Sequence, residues 1–319
     1  MIPALNEAAH IEACVRTLIE GDDAARAADI VVMDGGSSDG TCAIVTRLAA
    51  SFPNVRLGRN PGRIQSCALN RAALNADADI LIRCDAHSLY PPRYVSRLIE
   101  AMERTGADSV VVPMDAVGEG CFQRAAAWIV DTPLGSGGSA HRGGVRSSYV
   151  DHGHHAAFKL ARFRELGGYD ETFTHNEDAE YDRRLTQAGG KVWLDADIRI
   201  GYFPRATARA LWRQYWNYGA GRARTLLKHR AAPRLRQVVP VLNFALLALS
   251  LASAAFVPLT LVWPAFYLGV LFAASLFVAA KHKSPCGLGA GLALAIIHNA
   301  WALGFITTWF GRTRKEGGA

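Results

Sequence analysis

The sequence predicts an α/β protein with a doubly wound, mostly parallel sheet, followed by a membrane region at its C-terminus. Two observations lead to this fold class. Short apolar runs alternate with helical segments through the first two-thirds of the chain, which is the pattern of βαβ units. From Val238 to Ala280 there is then no Asp, Glu, Lys or Arg, a stretch longer than the roughly 20 apolar residues that a membrane-spanning helix needs.

The N-terminal elements follow one another at regular intervals. Asn6 is a residue type that caps helices, and it predicts a helix from Glu7 to Ile19 with its apolar positions on one face. Little sequence precedes this helix, so we expect a truncated first strand or a misassigned start. The next predicted elements are strand Asp29–Asp34, the glycine-rich loop Gly35–Thr41, a helix to Ala50, strand Asn54–Gly58, helix Arg63–Asn75, strand Asp79–Cys84, helix Pro92–Arg104 and strand Asp108–Pro113.

The middle of the chain has weaker signals. Gly118–Tyr149 is predicted as a long loop with one short helix at Phe122–Val130, and a loop of that length inside a domain is usually functional. His152, His154 and His155 follow it; a zinc site would need a fourth ligand, so a substrate-facing loop is favoured. Beyond them we expect helix Leu160–Leu166, a helix after Asn176 that is acidic at its start and basic later, and strands Lys191–Leu194 and Ile198–Tyr202.

Asp85 and His87 are the first candidate functional residues. They follow the apolar run Asp79–Cys84, and in open α/β sheets ligands bind outside the carboxyl ends of the strands. Two residues apart on an extended segment, they share a face. A carboxylate and an imidazole on one face are suited to a divalent cation, which commonly holds a nucleotide diphosphate.

The C-terminal third carries the membrane signals. Residues 205–236 contain nine arginine or lysine residues and no acidic residue, which accounts for the formal net charge of +7. Such a segment next to a spanning helix is typical of the cytoplasmic side and of contact with anionic lipid, and we rank nucleic acid well below these as a partner. Predicted spans are Val239–Phe256, Val262–Ala280 and Leu288–Phe310.

Three complete spans create a conflict with the distribution of basic residues. They would place Lys281 and Lys283 in the cytoplasm but Arg312, Arg314 and Lys315 outside, against the positive-inside rule. The third run is therefore expected to be re-entrant or folded back. The predicted domains are residues 1–204, a basic interfacial segment 205–237 and a membrane region 238–319.

The remaining compositional features favour a cytoplasmic location for the first domain. Six cysteines are scattered without a Cys-x-x-Cys pair, which predicts reduced thiols in place of disulfides or a zinc site. Glu7 and Glu12 stand where a secretory signal would have its apolar region, so no such signal is expected.

Five short motifs follow one another along the first two-thirds of the sequence. They are Pro3-Ala4-Leu5-Asn6-Glu7, Asp34-Gly35-Gly36-Ser37-Ser38-Asp39-Gly40-Thr41, Asp85-Ala86-His87, Gly167-Gly168-Tyr169-Asp170-Glu171 and Asn176-Glu177-Asp178. Each motif is weak alone, but their order and spacing ahead of membrane spans are specific. Together they resemble the inverting family 2 glycosyltransferases of the GT-A fold, and in particular membrane-attached exopolysaccharide glucosyltransferases, with Asp85-Ala86-His87 in place of that family's Asp-x-Asp.

This resemblance implies a role for each candidate residue. Glu7, Asp34, Asp85 and Arg222 would bind the nucleotide-sugar donor, expected to be UDP-glucose. Asp85 and His87 would hold a divalent metal, Mn²⁺ or Mg²⁺. Asp178 would be the general base that deprotonates the acceptor, with Glu177 beside it to position it. The Gln-x-x-Arg-Trp motif of processive synthases is absent from the sequence, which indicates addition of a single sugar.

The resemblance also implies a location and an acceptor. The enzyme would lie in the bacterial cytoplasmic membrane with its catalytic domain facing the cytoplasm, and would extend a polyprenyl-diphosphate-linked saccharide. Transfer to polyprenyl phosphate itself is the main alternative, and a catalytically silent membrane scaffold is a further one. A nicotinamide-dependent dehydrogenase is excluded, because no G-x-G-x-x-G follows a predicted strand.

Overall fold

The computed structural model describes residues 1–139, 142 and 146–316. The chain forms two compact units, one made of Met1–Asp115 and Gly143–Tyr202 and the other of Ala116–Arg142 and Phe203–Ala319. The first unit ends at Tyr202. The predicted division at residues 204 and 237 stays a prediction. The segment that follows Asp115, predicted as part of the first domain, packs instead within the C-terminal unit.

The strands lie in the first unit except for the last residue of one of them. They are β1 (Ile2–Ala4), β2 (Ile30–Asp34), β3 (Val55–Arg59), β4 (Ile80–Ile82), β5 (Ser109–Val112), β6 (Met114–Ala116), β7 (Ser148–Val150), β8 (His154–Lys159), β9 (Val192–Leu194) and β10 (Ile200–Tyr202). The helices are α1 (Ile11–Ile19), α2 (Asp23–Ala27), α3 (Thr41–Ser51), α4 (Gln65–Asn75), α5 (Tyr94–Thr105), α6 (Cys121–Val130), α7 (Pro133–Ser136), α8 (Leu160–Glu165), α9 (Glu177–Gln187), α10 (Ala208–Lys228), α11 (Leu235–Ser253), α12 (Val262–Lys281) and α13 (Ala290–Glu316), with 3-10 turns at Pro258–Leu261 and Pro285–Gly289.

The N-terminal strands pair in parallel, as the sequence predicts. β1 pairs with β2 and β2 with β3, so that Ile2 lies opposite Val32 and Ile30 opposite Val55. β4 lies on the other side of β1, because the Met1 amino group donates to the Ile82 carbonyl at 2.7 Å and the Cys84 amide donates to the Met1 carbonyl at 2.9 Å. The carboxyl ends of β2 and β4 carry Asp34 and the segment leading to Asp85.

The second half of the sheet is mixed, which differs from the prediction of a mostly parallel sheet. Its order is β4-β8-β5-β9-β7, with β8 antiparallel to both β4 and β5, and β7 antiparallel to β9. β8 was not predicted: His154 and His155 belong to this strand and not to a loop. Polar histidines at these positions do not match the apolar pattern of a buried strand. His155 is nevertheless buried, because its side chain forms hydrogen bonds with residues distant in sequence.

The first helix begins later than predicted. Helix α1 starts at Ile11, and Asn6 is not its N-cap: it has a left-handed backbone with φ of 59°. Its side chain instead accepts a hydrogen bond from the Ser38 amide at 2.9 Å, and its own amide donates to Ser37 Oγ at 2.8 Å. Asn6 therefore fixes the loop after β2, because asparagine tolerates the left-handed region better than most residues.

Among the residues that the structure describes, three helices of the second unit are long and apolar enough to cross a membrane. They are Leu235–Ser253, Pro258–Lys281 and Pro285–Gly311, and 6%, 17% and 56% of their most apolar windows are buried within the protein. The third run, which was expected to be re-entrant or folded back, forms one continuous helix, α13, and its placement in the membrane stays a prediction. Helices α10 and α13 touch along their backbones: a Cβ added at Gly219 would lie 2.0 Å from the Trp301 carbonyl, and one at Gly304 would lie 2.1 Å from the Trp216 carbonyl.

One cysteine pair corrects the expectation of reduced thiols. Cys121, at the start of α6, forms a disulfide with Cys286 in the second 3-10 turn. The two residues are 165 positions apart in sequence, so their proximity comes from packing of α6 against the turn and could not be read from cysteine spacing. Cys14, Cys42, Cys67 and Cys84 are free thiols, as predicted.

Candidate active site

The loop after β2 is organised around the Asp34 carboxylate. Asp34 accepts hydrogen bonds from the Gly36 amide at 2.9 Å and the Ser37 amide at 3.2 Å. Burial opposes its ionisation, but hydrogen bonds from Ser37 and Gly36 outweigh burial and lower the pKa of Asp34. Gly35 has little room for a side chain, since an added Cβ would lie 3.1 Å from the Arg63 carbonyl. Asp34, which the sequence predicts to bind the nucleotide sugar, is thus a fixed, charged hydrogen-bond acceptor at the edge of the sheet.

Asp85 lies just past β4 and is surrounded by donors. Gln65 Nε2 donates to Asp85 Oδ1 at 2.8 Å, Arg83 Nε donates to the same oxygen at 3.2 Å, and His154 Nε2 lies 3.7 Å from Oδ2. Burial favours the protonated acid, but the Arg83 charge, with His154 and His87, outweighs burial and holds the pKa of Asp85 far below its usual range. The carboxylate therefore stays ionised throughout the physiological range.

His87 pairs with Glu7 across the same edge. His87 Nδ1 lies 2.9 Å from Glu7 Oε1, and the His87 side chain is 46% exposed whereas that of Glu7 is 17% exposed. The structure thus brings together two residues that the sequence separates by 80 positions. Among the described residues, no group of three or more His, Cys, Asp or Glu side chains is arranged to hold a metal ion.

Glu177 and Asp178 occupy the first two positions of α9, after Asn176 in a left-handed conformation with φ of 61°. Burial raises the pKa of Glu177, and the neighbouring Asp178 charge adds to this effect against the opposing Arg83 charge. For Asp178 burial is again unfavourable to the charge, but His152, His155 and Arg83 outweigh it and lower its pKa. The pKa values of the two adjacent carboxyl groups are therefore shifted in opposite directions, and Asp178 is the more acidic of the two.

Arg83 joins the two halves of the site. Its guanidinium contacts Asp85 Oδ1 through Nε at 3.2 Å and Glu177 Oε1 through NH1 at 3.4 Å, with a side chain that is 5% exposed. Sequence reasoning missed Arg83 and Gln65. The available signal was a lone arginine in the apolar run Asp79–Cys84, two positions before Asp85 and so on the same strand face. A buried arginine there needs carboxylate partners, which points to an ion-pair network.

His152, His154 and His155 do not form a metal centre. His155 Nε2 and His152 Nδ1 lie 2.6 Å and 3.1 Å from the two oxygens of Asp182, while His154 faces Asp85. Asp182 and His155 are wholly buried. The histidine-rich segment thus contacts the carboxylates of Asp182 and Asp85, and no local sequence signal pointed to Asp182.

Arg222 is the one predicted site residue outside the first unit. It lies on α10, within the second compact unit. Its predicted contact with the donor diphosphate therefore stays a prediction, as do the catalytic and binding roles of the residues described above.

The fold is that of a glycosyltransferase of the GT-A class. Residues 1–167 match the family described as Glycosyl transferase family 2, and the chain belongs to this family. It is 45% identical over 311 residues to the Succinoglycan biosynthesis protein ExoA of Rhizobium meliloti (strain 1021), covering 96% of this chain and 92% of that protein.

A more distant relative comes from Methanococcus voltae. It is a dolichyl N-acetyl-alpha-D-glucosaminyl phosphate 3-beta-D-2,3-diacetamido-2,3-dideoxy-beta-D-glucuronosyltransferase, 26% identical over 238 residues, with 72% of this chain and 73% of that protein covered. Among solved structures, the mannosyltransferase PcManGT from Pyrobaculum calidifontis, in complex with GDP-Man and Mn²⁺, has the same fold: the TM-score is 0.57 at 20% identity, covering 98% of this chain and 86% of that one.

Proposed function

We propose that this enzyme transfers a single sugar, glucose from UDP-glucose, to a lipid-linked saccharide in exopolysaccharide biosynthesis, with inversion at the anomeric carbon. The relative from Rhizobium meliloti supports the pathway, since its name places it in succinoglycan biosynthesis. The relative from Methanococcus voltae supports the acceptor class, since its name describes transfer to a dolichyl-phosphate-linked sugar. One observation carries the mechanism: Arg83 links Asp85, at the end of β4, to Glu177, beside the candidate base.

The donor would be held by the residues at the carboxyl ends of β1, β2 and β4. Asp34 is a fixed acceptor suited to a nucleotide base, with Glu7 across the loop, and Asp85 is suited to ribose. The loop that carries Asp34 is tied to the segment after β1, because the Glu7 amide donates to Thr41 Oγ1 at 2.9 Å. Such fixed polar groups at strand ends are where open α/β sheets bind nucleotides.

The residues present fit a divalent cation. Asp85 supplies a carboxylate that stays ionised and His87 an imidazole, and such a pair, with diphosphate oxygens completing the shell, is suited to Mn²⁺ or Mg²⁺. When bound, the cation would neutralise the charge that develops on the leaving diphosphate. His87 is oriented for this role by Glu7, whose carboxylate engages its Nδ1.

Asp178 is suited to the role of the base that removes the proton of the acceptor hydroxyl. It is half-buried, at the start of α9, where the positive end of the helix dipole favours a carboxylate. Its lowered pKa keeps it ionised, whereas Glu177 has a raised pKa and is held by Arg83. Direct displacement needs one base and no covalent intermediate, so Asp178 acts alone and Glu177 positions it.

We also propose that the chain crosses the membrane twice, through α11 and α12, and that α13 lies at the membrane surface. Helix α10 carries Arg209, Arg213 and Arg222, and charged residues at the bilayer centre are costly. Because α13 contacts α10 backbone to backbone, at Gly219 and Gly304, the part of α13 around Gly304 would share the depth of α10. The first half of α13 packs along α12, where an added Cβ at Gly291 would lie 2.4 Å from the Leu271 carbonyl. The window of α13 is 56% buried by protein, against 6% and 17% for α11 and α12, so it has less surface to offer lipid.

The turn before α13 supports the same topology. Cys121 of the 10-residue helix α6 is bonded to Cys286, and the Trp128 ring stacks on His282 at 4.3 Å. Helix α6 is too short to cross a bilayer, so the turn lies on the side where the segment of residues 116–142 lies. The Cα atoms of Cys121 and Cys286 lie 4.9 Å apart, which places the turn beside α6. With two crossings, the basic C-terminal residues 312–315 are cytoplasmic, as the positive-inside rule requires.

The catalytic proposal is tested with membranes that contain the enzyme, a panel of radiolabelled nucleotide sugars and a lipid extract from a polysaccharide-producing strain. We expect label from UDP-glucose in a lipid-linked saccharide that is one sugar longer than the acceptor, and none with Asp85→Asn membranes. Label in an acid-labile single-sugar lipid would instead indicate transfer to polyprenyl phosphate. If no nucleotide sugar labels any lipid, the proposed function is wrong.

Reporter fusions test the topology. Alkaline phosphatase, which is active only in the periplasm, should be active after Phe256, between α11 and α12, and inactive after Lys281 or Gly311. A green fluorescent protein at the C-terminus should be fluorescent. An active phosphatase after Gly311 would mean that α13 crosses the membrane.

A further inference from the structure

A buried chain of polar side chains leads from the interior of the first unit to Arg83. Asp182 Oδ1 lies 2.6 Å from His155 Nε2, His155 Nδ1 lies 2.6 Å from the Tyr169 hydroxyl, and that hydroxyl accepts from Arg83 NH1 at 3.4 Å. The side chains of Asp182 and His155 are 0% exposed, and Tyr169 is 2% exposed. None of the three is assigned as a donor-binding residue or as the base, although His155 also helps to lower the pKa of Asp178.

The numbers of protons and acceptor atoms determine in which direction the hydrogen bonds of this series run. A phenol has a single proton, and its oxygen already accepts from the Arg83 guanidinium, which can only donate. The Tyr169 proton is then available for His155 Nδ1, which leaves His155 Nε2 to donate to the Asp182 carboxylate. Every donor in the series meets an acceptor, which is the condition for a buried polar network to hold its geometry.

The backbone supports each member of the chain. The Arg83 amide donates to the Ala156 carbonyl, next to His155, at 2.9 Å. The Tyr169 backbone is held on both sides by the Asn70 side chain, which accepts from its amide at 2.8 Å and donates to its carbonyl at 2.7 Å. The Gly153 amide donates to Asp182 Oδ2 at 3.2 Å. The network therefore lies between β4, β8, α4 and α9, and each of these elements holds one of its members by a backbone or side-chain hydrogen bond.

We propose that Tyr169, His155 and Asp182 are positioning residues that orient the Arg83 guanidinium between Asp85 and Glu177. Arginine has a long flexible stem, and its contacts with Asp85 at 3.2 Å and Glu177 at 3.4 Å leave several orientations of the planar group open. The Tyr169 hydroxyl provides a third fixed partner. This inference rests on the proposed function, because it is the donor carboxylate and the base segment that Arg83 would position.

Tyr169→Phe is the sharpest test, because it removes one oxygen atom and leaves the ring in its aromatic cluster. The protein offers a matched control outside the polar network, Tyr181. Tyr181 is also wholly buried and its ring lies 5.7 Å from that of Tyr169, but in the part of the chain that the structure describes its hydroxyl has no hydrogen-bond partner. Tyr181→Phe thus removes the same atom from the same cluster without breaking the network.

The measurements are binding of nucleoside diphosphates with Mn²⁺, steady-state kinetics and melting temperature, all on the same purified full-length preparations. Wild type is first titrated with UDP, GDP, dTDP and CDP, and the best of these is used for the variants. We expect Tyr169→Phe to bind it at least 3-fold more weakly and to lose about 10-fold in kcat/KM, since small misplacements of catalytic groups have large effects on rate. Tyr181→Phe should match wild type in both.

A double mutant tests whether the effect runs through His155. Asp182→Asn should show a loss in the same direction, and Tyr169→Phe/Asp182→Asn should lose no more than the larger single variant, since residues of one network are not additive. A purely structural role predicts a lower melting temperature with unchanged binding and turnover per folded molecule. If Asp182→Asn does not fold, Tyr169→Phe and its control carry the test.

Two results would overturn the inference, and they differ from failure of the proposed function. Binding and kcat/KM of Tyr169→Phe within 2-fold of wild type would show that the hydroxyl does not position Arg83. Equal losses in Tyr169→Phe and Tyr181→Phe would assign the effect to packing of the cluster. If wild type binds none of the four diphosphates, the proposed function fails and this inference fails with it.

Discussion

Replacement of Asp178 by asparagine is the most direct test of the proposed chemistry. The substitution keeps the size of the side chain and one oxygen, but removes the carboxylate that takes the proton from the hydroxyl of the acceptor saccharide. A general base contributes typically ~10²–10⁴-fold to the rate, which corresponds to about 2.7–5.4 kcal/mol of barrier. We therefore expect kcat of Asp178→Asn to fall by about that factor.

The structure predicts a much smaller effect on stability. Asp178 is the second residue of α9 and its Oδ1 accepts from the Ala179 amide at 2.7 Å, which an asparagine oxygen can replace. What is lost is the interaction of its charge with the helix dipole, about 0.3–1 kcal/mol, and with the nearby histidines. A melting temperature lower by only a few degrees should thus accompany the large loss in rate.

The assay measures turnover, nucleotide binding and melting temperature on one preparation. Binding of the nucleoside diphosphate should barely change, because Asp34, Asp85 and His87 hold the donor in the proposed mechanism. Glu177→Gln is the matched comparison and should lose less rate, since Glu177 is assigned to positioning through Arg83. Near-normal turnover by a folded Asp178→Asn enzyme would refute the assignment of the base.

Three further predictions concern the metal, the basic helix and stability. His87→Asp should shift the metal preference from Mn²⁺ towards Mg²⁺, because carboxylate is a harder ligand than imidazole; an unchanged ratio of the two activities would remove His87 from the metal site. Arg222→Ala should raise the donor KM, whereas Arg209→Ala with Arg213→Ala should mainly weaken dependence on anionic lipid in vesicle assays; unchanged donor kinetics in Arg222→Ala would contradict its role. Asp22→Asn should lower the free energy of unfolding by about 2 kcal/mol at neutral pH, because the buried carboxylate accepts from the amides of Ala25, Val95 and Ser96. The pKa of Asp22 in the folded protein is lowered despite burial. The contribution of this carboxylate to the free energy of unfolding is therefore complete above its unfolded pKa of about 3.9 and is lost as pH falls below that value. A difference between Asp22→Asn and wild type that stays constant from pH 7 to pH 3 would contradict this.

The arrangement around Arg83 explains how one positive charge can serve both halves of the site. Asp85 keeps its charge because Arg83, His154 and His87 outweigh the effect of burial on its pKa. Glu177 meets the same guanidinium but lies deeper and next to Asp178, so its pKa is raised. Arg83 thus contacts one carboxylate whose pKa is lowered and one whose pKa is raised, while His152, His155 and Arg83 together lower the pKa of Asp178.

Local sequence determined the elements whose signals are local. Strands β2, β3 and β4, the loop that begins at Asp34, the start of α9 at Glu177 and the apolar runs of the three long helices follow from runs of apolar residues, glycines and charge patterns within short windows. The same windows placed Asp34, Asp85, His87 and Asp178 at strand or helix ends, and the family to which the chain belongs was readable from their order.

Only the tertiary structure decided what depends on pairing over long distances. β8 has histidines at positions that look like a loop, and becomes a central antiparallel strand because His155 finds Asp182 and Tyr169 in the interior. The Cys121–Cys286 bond joins residues 165 positions apart. Arg83 is a single charge in an apolar run until Glu177, 94 positions later, is folded against it. Sequence shows which groups are present, but the energy of a buried charge depends on partners that folding brings near, and no local pattern encodes them.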